Sequence, residues 1–548
     1  MRTIDLRVSR LVLFSVFLLA SLRPLAAEPD SAQVLQTMKT ASQFMLDKAS
    51  YRGGFVWSYL PDFSRQWGEL EARRSMIWMQ PPGTASVGHL FLDAYHATGD
   101  EFYYKAAEQV AGAIIFAQHS SGGWNYVADF NGEASLKEWY ATIGKNAWRL
   151  EEFHHYYGNA TFDDMGTAEA AKFLLRLYVE KLDPKYRPVL TKAIDFMLNS
   201  QYPIGGWPQR FPLMHDHPTK DHADYTSFIT FNDDVAAENI DFLLMCYQML
   251  AETRVREPVI RAMNVFLASQ MGQPQPGWSL QYTTELVPEG ARSYEPKSLH
   301  TPTTAENIQQ LIRFYRMTGE TKFLAPIPAA LDWLDKVQFA SAKAEYEGRT
   351  HPSFIELGTN KPLFTHRRGT NVSNGEYYVD HTPGNMLAHY KSASTIDMAR
   401  LRRLYQEALA LKPEDLVANS PLKVMGDVEL PRYFTLGKVS VSDLNFRAQK
   451  ASDTEDISEQ ATRLISTLNQ QGYWPTPLYY TTNPYKGQSP KKLATGSNKQ
   501  NTVYSGTMVG DEWDTSPYPV ENPVMGISTG AYIKNMGVLI QYLQQSAQ

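Results

Sequence analysis

Several helix ends in this chain close on a related phrase. Ala117-Gln118 runs through His119-Ser120-Ser121 to Gly122-Gly123-Trp124, and Ser200-Gln201 runs through Tyr202-Pro203-Ile204 to Gly205-Gly206-Trp207. Looser copies are Ser269-Gln270 before Pro276-Gly277-Trp278 and Asn469-Gln470-Gln471 before Gly472-Tyr473-Trp474. A helix, a Gln-bearing end, a glycine turn and a tryptophan, repeated along a chain, mark helical hairpins that stack into one continuous core. Such a core grows by adding units, which suits 548 residues better than one ordinary globular core does. Between the phrases, apolar residues recur three to four apart (Val34, Leu35, Met38; Val87, Leu90, Leu92; Ala106, Val110, Ile114), and strand-like alternation is scarce. The expected fold is therefore all-α: an incomplete α/α-toroid of helical hairpins with long aromatic-rich loops. The tryptophans have a purely structural reading, in which each staples its loop to its helix.

The first residues carry Arg2, Arg7 and Arg10, then an apolar run from Leu11 to Leu22, then Ala26-Ala27. That pattern predicts a secretory signal peptide over 1–27, with a run too short to span a membrane, and a secreted or periplasmic product. Net charge is −6, and about −9 once 1–27, with four Arg and one Asp, is removed. An acidic chain does not point to nucleic acid. It can still bind an anionic polymer through a local basic cluster or a bridging metal ion. Aromatics make up 12% of residues, which suits sugar binding, because pyranose faces present C–H groups to rings. The single cysteine, Cys246, lies in an apolar helix and is expected to be a buried small hydrophobe.

The stretch richest in chemistry runs from Gln201 to Asn239. It holds Gly205-Gly206-Trp207-Pro208-Gln209-Arg210-Phe211-Pro212 and ends in Ile229-Thr230-Phe231-Asn232-Asp233-Asp234 before a helical pattern. Asn232 or Asp233 stands where a helix N-cap is expected, leaving a carboxylate for the loop. GGWPQRFP followed by ITFNDD resembles the pectate lyases of polysaccharide lyase family ten, most strongly over 162–369. Phe162-Asp163-Asp164-Met165-Gly166-Thr167 is similar to that family's T-I-D-N-G-A-T, and Ala291-Arg292-Ser293-Tyr294-Glu295-Pro296 to its A-R-A-Y-E-P. Gly358-Thr359-Asn360-Lys361-Pro362-Leu363-Phe364 resembles G-T-N-R-P-(I/F)-F. Where the family continues G-R-D-G, this chain has His366-Arg367-Arg368-Gly369 and lacks the acid.

The resemblance implies a calcium-dependent lyase that cleaves polygalacturonate, or a related anionic uronan, by β-elimination. It implies Ca2+ held by Asp163 and Asp233 with Asp234 as neighbour, Arg292 as catalytic base, and substrate contacts from Trp207, Arg210, Tyr294 and Arg367 or Arg368. Calcium takes carboxylate oxygens and would bridge the substrate carboxylate to those aspartates. An arginine base conflicts with a pKa ordinarily above about 12, which points to an alkaline optimum.

Residues 28–411 are expected to form the catalytic toroid, and 412–548 an extension packed on it with a last helix over 530–545; the chain is expected to be a monomer. The loop 53–82 carries Arg65, Trp67, Glu69, Glu71, Arg73 and Arg74, which form either a groove rim or a salt-bridged flap. His215, His217 and His222, and the acids Asp511, Glu512 and Asp514, read as surface groups. Three other classes remain. A hydrolase on the same toroid would use Asp163 and Asp233 as acid and base. A terpene cyclase shares the Gln–Gly–Trp phrases but does not explain Arg292, and a glycan-binding protein would need no Arg292.

Overall fold

The computed structural model describes residues 29–146, 151–214, 224–341, 343, 346, 348–368, 376–383, 386, 392–423, 456–481 and 518–546. The expected signal peptide, His215, His217, His222, Asp511, Glu512 and Asp514 lie outside them. The helices, in chain order, are α1 (Ser31–Phe44), α2 (Thr84–Thr98), α3 (Glu101–Ala117), α4 (Glu133–Thr142), α5 (Gly166–Lys181), α6 (Arg187–Ser200) and α7 (Val235–Leu250). They continue with α8 (Arg256–Ala268), α9 (Thr301–Thr318), α10 (Ile327–Val337), α11 (Met398–Leu409), α12 (Pro413–Ala418), α13 (Ile457–Thr467) and α14 (Thr529–Ser546). Consecutive helices pair as hairpins, α2 with α3, α5 with α6, α7 with α8, α9 with α10 and α13 with α14. α14, α2, α5 and α7 stand side by side in that order, so the α/α-toroid anticipated from the repeats is the observed fold.

The repeated phrase has a mechanical reason. Trp124 Nε1 donates to Ile114 O at 2.8 Å, Trp207 Nε1 to Met197 O at 2.9 Å, Trp278 Nε1 to Phe266 O at 2.9 Å and Trp474 Nε1 to Leu464 O at 2.9 Å. Each indole reaches back to a carbonyl near the end of the preceding helix. The glutamine amide spans two units: Gln118 Nε2 donates to Gly122 O and to Val189 O on α6, and Gln201 Nε2 to Gly205 O and to Pro258 O on α8. Gln270 Nε2 does the same with Pro276 O and Pro326 O. The tryptophan therefore fixes the turn to its own helix, and the glutamine fixes the turn to the next hairpin. Gly205 is required because its φ is +112° and a Cβ there would stand 2.4 Å from Arg261 O.

Ion pairs tie the neighbouring helices together inside the ring. Arg176 on α5 binds Asp93 and His89 O on α2, Lys172 on α5 binds Glu238 on α7, and Arg313 on α9 binds Asp241 on α7. Short antiparallel ladders stitch the loops at one end of the ring. Thr161 pairs with Arg210, Thr230 with Gln281 and His300 with Phe354. The strand Tyr518–Ser528 pairs with Ser58-Tyr59, and α14 packs on α1 and α2, so the first and last described helices meet in the same wall. Cys246 is buried, as anticipated. In the 53–82 loop, Arg65 makes a two-pronged bond to Glu71 (2.9 Å each) and stacks over Trp67, Arg73 reaches Ser135, and Arg74 binds the carbonyls of Lys48, Ala49 and Ser50. Those residues form a stapled flap. Glu69 has a different role, described below.

Candidate active site

Two single turns precede α5 and α7, Asp163–Met165 and Asn232–Asp234, and they lie against each other. Each holds two successive non-glycine residues in the left-handed region, Asp164 (φ 49°) and Met165 (φ 61°), then Asp233 (φ 53°) and Asp234 (φ 55°). Left-handed backbone costs such residues roughly 1 kcal/mol or more each. The same strained turn, made twice, lifts the acids off the helix axes. Neither Asn232 nor Asp233 is an N-cap: α7 begins at Val235 with no side-chain cap bond, and α5 likewise has none. By contrast Asp100 caps α3 through Phe102 N at 2.9 Å. The carboxylates at the two turns are left for another purpose.

Asp163 is fully buried; its Oδ2 accepts from Arg292 Nη2 at 2.7 Å and from the Tyr126 hydroxyl, while Oδ1 has no hydrogen-bond partner. Arg292, 4% exposed, also donates from Nε to Glu152 Oε2 at 3.0 Å and from Nη1 to Glu295 at 3.3 Å, with Asp233 Oδ2 3.8 Å from Nη1. Burial works to lower the Arg292 pKa, but the charges of Glu152, Asp163 and Glu295 outweigh it and hold the guanidinium charged more firmly than usual. Asp164 meets Gln80, whose amide also donates to Glu69 at 3.2 Å. The Arg292 guanidinium thus faces Glu152, Asp163, Asp233 and Glu295, with Asp164 and Glu69 adjoining through Gln80 and Arg210 as a second buried cation acting on Asp163.

That imbalance shows in the titrations. Burial first, then the charge of Asp163, pushes the Asp164 and Asp233 carboxyls well above the usual carboxylate range. Burial raises Glu152 to about 7, against the pull of Arg292. Asp163 is lowered: burial opposes this, and Arg292 leads the groups that more than offset it. The site therefore has surplus negative charge and a buried, unpartnered Asp163 Oδ1. Asn232 Oδ1 is buried and unpartnered too. Hard oxygen donors with unmet charge fit a calcium ion. Among the described residues, no three acids, histidines or cysteines converge as a metal-ligand set.

The expected site residues divide. Asp163, Asp233 and Arg292 come together from three segments. Asp234 does not join them: it is exposed, its charged neighbours are Glu238, Asp241 and Lys172, and the acid acting beside the Asp163–Asp233 pair is Asp164. The left-handed turn sends neighbouring side chains in different directions. Trp207 is 0% exposed and its indole N–H is spent on Met197 O, so the structure gives it the role of a staple. Tyr294 is buried as well, edge-on to Tyr377 at 5.5 Å, with its carbonyl accepting from Thr365 Oγ1, and it anchors the Arg292 loop to the strand Pro362–Arg368. Arg210, 2% exposed, lies between Tyr126 (4.9 Å) and Tyr157 (5.0 Å), donates to Asn125, and keeps Nε and Nη2 unpartnered. The backbones of Arg367 and Arg368 pair with Tyr377 and Glu376; their side chains lie outside the described residues.

Gln80, Tyr126, Glu152 and Glu295 are not singled out by the sequence as site residues, and Glu69 is marked there only as part of a rim or flap. Glu295 was within reach, three residues after Arg292. The others come from loops with no local signature.

Residues 129–378 match the model of the pectic acid lyase family. The chain is a polysaccharide lyase, and Glu152, Asp163, Arg210, Asp233, Arg292 and Glu295 all lie within the match. A family 10 polysaccharide lyase from Cellvibrio cellulosa is similar at 18% identity over 58% of this chain and 95% of its own, with a TM-score of 0.40. An aspartate-to-alanine mutant of a Cellvibrio cellulosa family 10 lyase, in complex with trigalacturonic acid, gives 19% identity over 50% and 85% of the two chains and a TM-score of 0.34. An α-mannanase from Bacteroides thetaiotaomicron gives 11% identity, 59% and 74% coverage and a TM-score of 0.34. No curated protein matches the chain.

Proposed function

We propose that this lyase is exported and cleaves polygalacturonate or a related uronan by calcium-assisted β-elimination at the centre around Arg292. The observation that carries the reading is the Asp163 carboxylate, fully buried, with one oxygen on Arg292 and the other unpartnered beside Asp233. Asp163 and Asp233 would hold the calcium. When bound, the ion would tie the substrate carboxylate to the protein and draw off charge as C5 loses its proton.

The chain's own residues do the rest. Arg292 would take the proton from C5. Acting as base requires its neutral form, which burial favours and its carboxylate partners oppose, so activity rises toward alkaline pH. Glu152 and Glu295 hold the guanidinium in place, and Tyr126 holds Asp163. Arg210, Arg367 and Arg368 supply further positive charge for the uronate chain. Export rests on the 1–27 pattern; no helix among the described residues is long and apolar enough to cross a membrane.

A hydrolytic pair needs two carboxyls set apart to flank a glycosidic bond, whereas Asp163 and Asp233 both face Arg292, with Oδ2 atoms 2.7 Å from Nη2 and 3.8 Å from Nη1. The test is the ultraviolet absorbance of the unsaturated product on polygalacturonate at alkaline pH, with calcium and with a chelator. A rise that the chelator abolishes and that Arg292→Ala removes is expected. Silence on every uronan would refute the reading.

A further inference from the structure

The turn Glu151–Phe153 grips the Arg292 loop from far along the chain. Glu151 accepts from Ser293 N at 2.9 Å and from the Ser293 hydroxyl, and Glu152 accepts from Arg292 Nε at 3.0 Å. Two successive acids thus hold two successive residues of the other loop. Both acids are buried, 3% and 2% exposed. The turn is itself pinned: Phe153 is fully buried with ring centroids 5.7 Å from Trp78, 5.0 Å from Tyr126 and 5.8 Å from Trp139. Burying two adjacent carboxylates costs several kcal/mol each unless partners recover it. A loop that only needed packing could be closed by apolar residues.

We propose that Glu152 is a positioning residue for the elimination, fixing the rotation of the Arg292 guanidinium by holding its Nε edge. This rests on the lyase reading above. The three edges of the guanidinium are shared out: Nη2 to Asp163, Nη1 to Glu295 and Nε to Glu152. Asp163 is the aspartate offered to the cation, and Glu295 rides on the same loop as Arg292. Glu152 is the partner that ties Arg292 to a separate, rigid part of the wall. With that edge released, the long side chain regains rotation, and its nitrogens leave the position set for the sugar. A misplacement of about 1 Å at a reacting group costs on the order of 10²-fold in rate.

Two variants separate reach from charge. Glu152→Gln keeps the length and an acceptor oxygen for Nε–H but loses the charge, whereas Glu152→Asp keeps the charge and falls one methylene short. Both are assayed for kcat and KM on polygalacturonate with excess calcium, with thermal unfolding recorded beside them. The expected result is a kcat loss of about 10²-fold in Glu152→Asp, a Gln variant that keeps most of the wild-type kcat, and KM changed by less than about threefold in both. A purely structural role would lower the unfolding temperature without this order of kcat. A Gln variant slower than the Asp variant would overturn the proposal, because charge and not reach would be decisive. So would wild-type kcat in both. Wild-type silence on every uronan would sink the lyase reading and this proposal together; an active wild type with unaffected variants sinks this proposal alone.

Discussion

Replacing Trp207 by phenylalanine tests whether the tryptophan phrases are staples or sugar platforms. The indole is 0% exposed and its Nε1 donates to Met197 O at 2.9 Å. After the substitution that carbonyl keeps the 3.3 Å contact from Ser200 Oγ, so the lost bond costs about 1 kcal/mol and not a full desolvation penalty. The missing pyrrole atoms leave a small cavity worth about 1–2 kcal/mol. The sum is about 2–3 kcal/mol, read from the urea midpoint at unchanged slope. Because the ring faces the core, KM for the uronan should stay within about twofold of wild type; loss of a stacking platform would cost 1 kcal/mol or more, several-fold in affinity. The assay pairs urea unfolding by circular dichroism with steady-state kinetics. A tenfold rise in KM with an unmoved midpoint would refute the staple argument and restore Trp207 to a subsite.

Gly205→Ala should destabilise by more than about 2 kcal/mol in urea unfolding, because φ is +112° and the new Cβ would meet Arg261 O at 2.4 Å; Gly166→Ala at the start of α5, where nothing lies within 4 Å, should be neutral or stabilising by up to about 1 kcal/mol in the same urea assay. His300 caps α9 by accepting from Thr303 N, and burial lowers its pKa to about 3. The unfolded chain therefore binds the extra proton between about pH 6.5 and 3, so stability rises with pH across that window. His300→Asn, which keeps an acceptor for the cap, should flatten that dependence, with a gain at pH 5 of about 1–2 kcal/mol over wild type by denaturant titration. Added calcium should raise the unfolding temperature of the wild type by binding the folded state, and the rise should vanish in Asp163→Asn; an unchanged rise in that variant would remove Asp163 from the cation site.

The centre was partly legible because part of it is local. Asp163 and Asp233 sit in turns of a few residues whose chemistry travels with the motif, and Arg292 sits in another. Asp234 stands apart from the cluster for a backbone reason: adjacent acids look equivalent in sequence, and only the left-handed turn decides which carboxylate enters it. The burial of Trp207 and Tyr294 was not legible, because an aromatic in a motif reads the same whether its ring faces sugar or core. Glu152 and Tyr126 carried no signal, since their partners lie far along the chain.

The hairpin architecture follows from the sequence alone, because a helix, its glycine turn and its tryptophan staple are close in the chain and their bonds are short-range. The Gln amide that joins one turn to the next helix already crosses units, and it works only once the ring has stacked. The charge state of the centre belongs wholly to the tertiary structure. It depends on how many carboxylates are brought within a few ångströms of one buried guanidinium, and Coulomb interactions in a dry site are set by distance, which the order of residues does not contain.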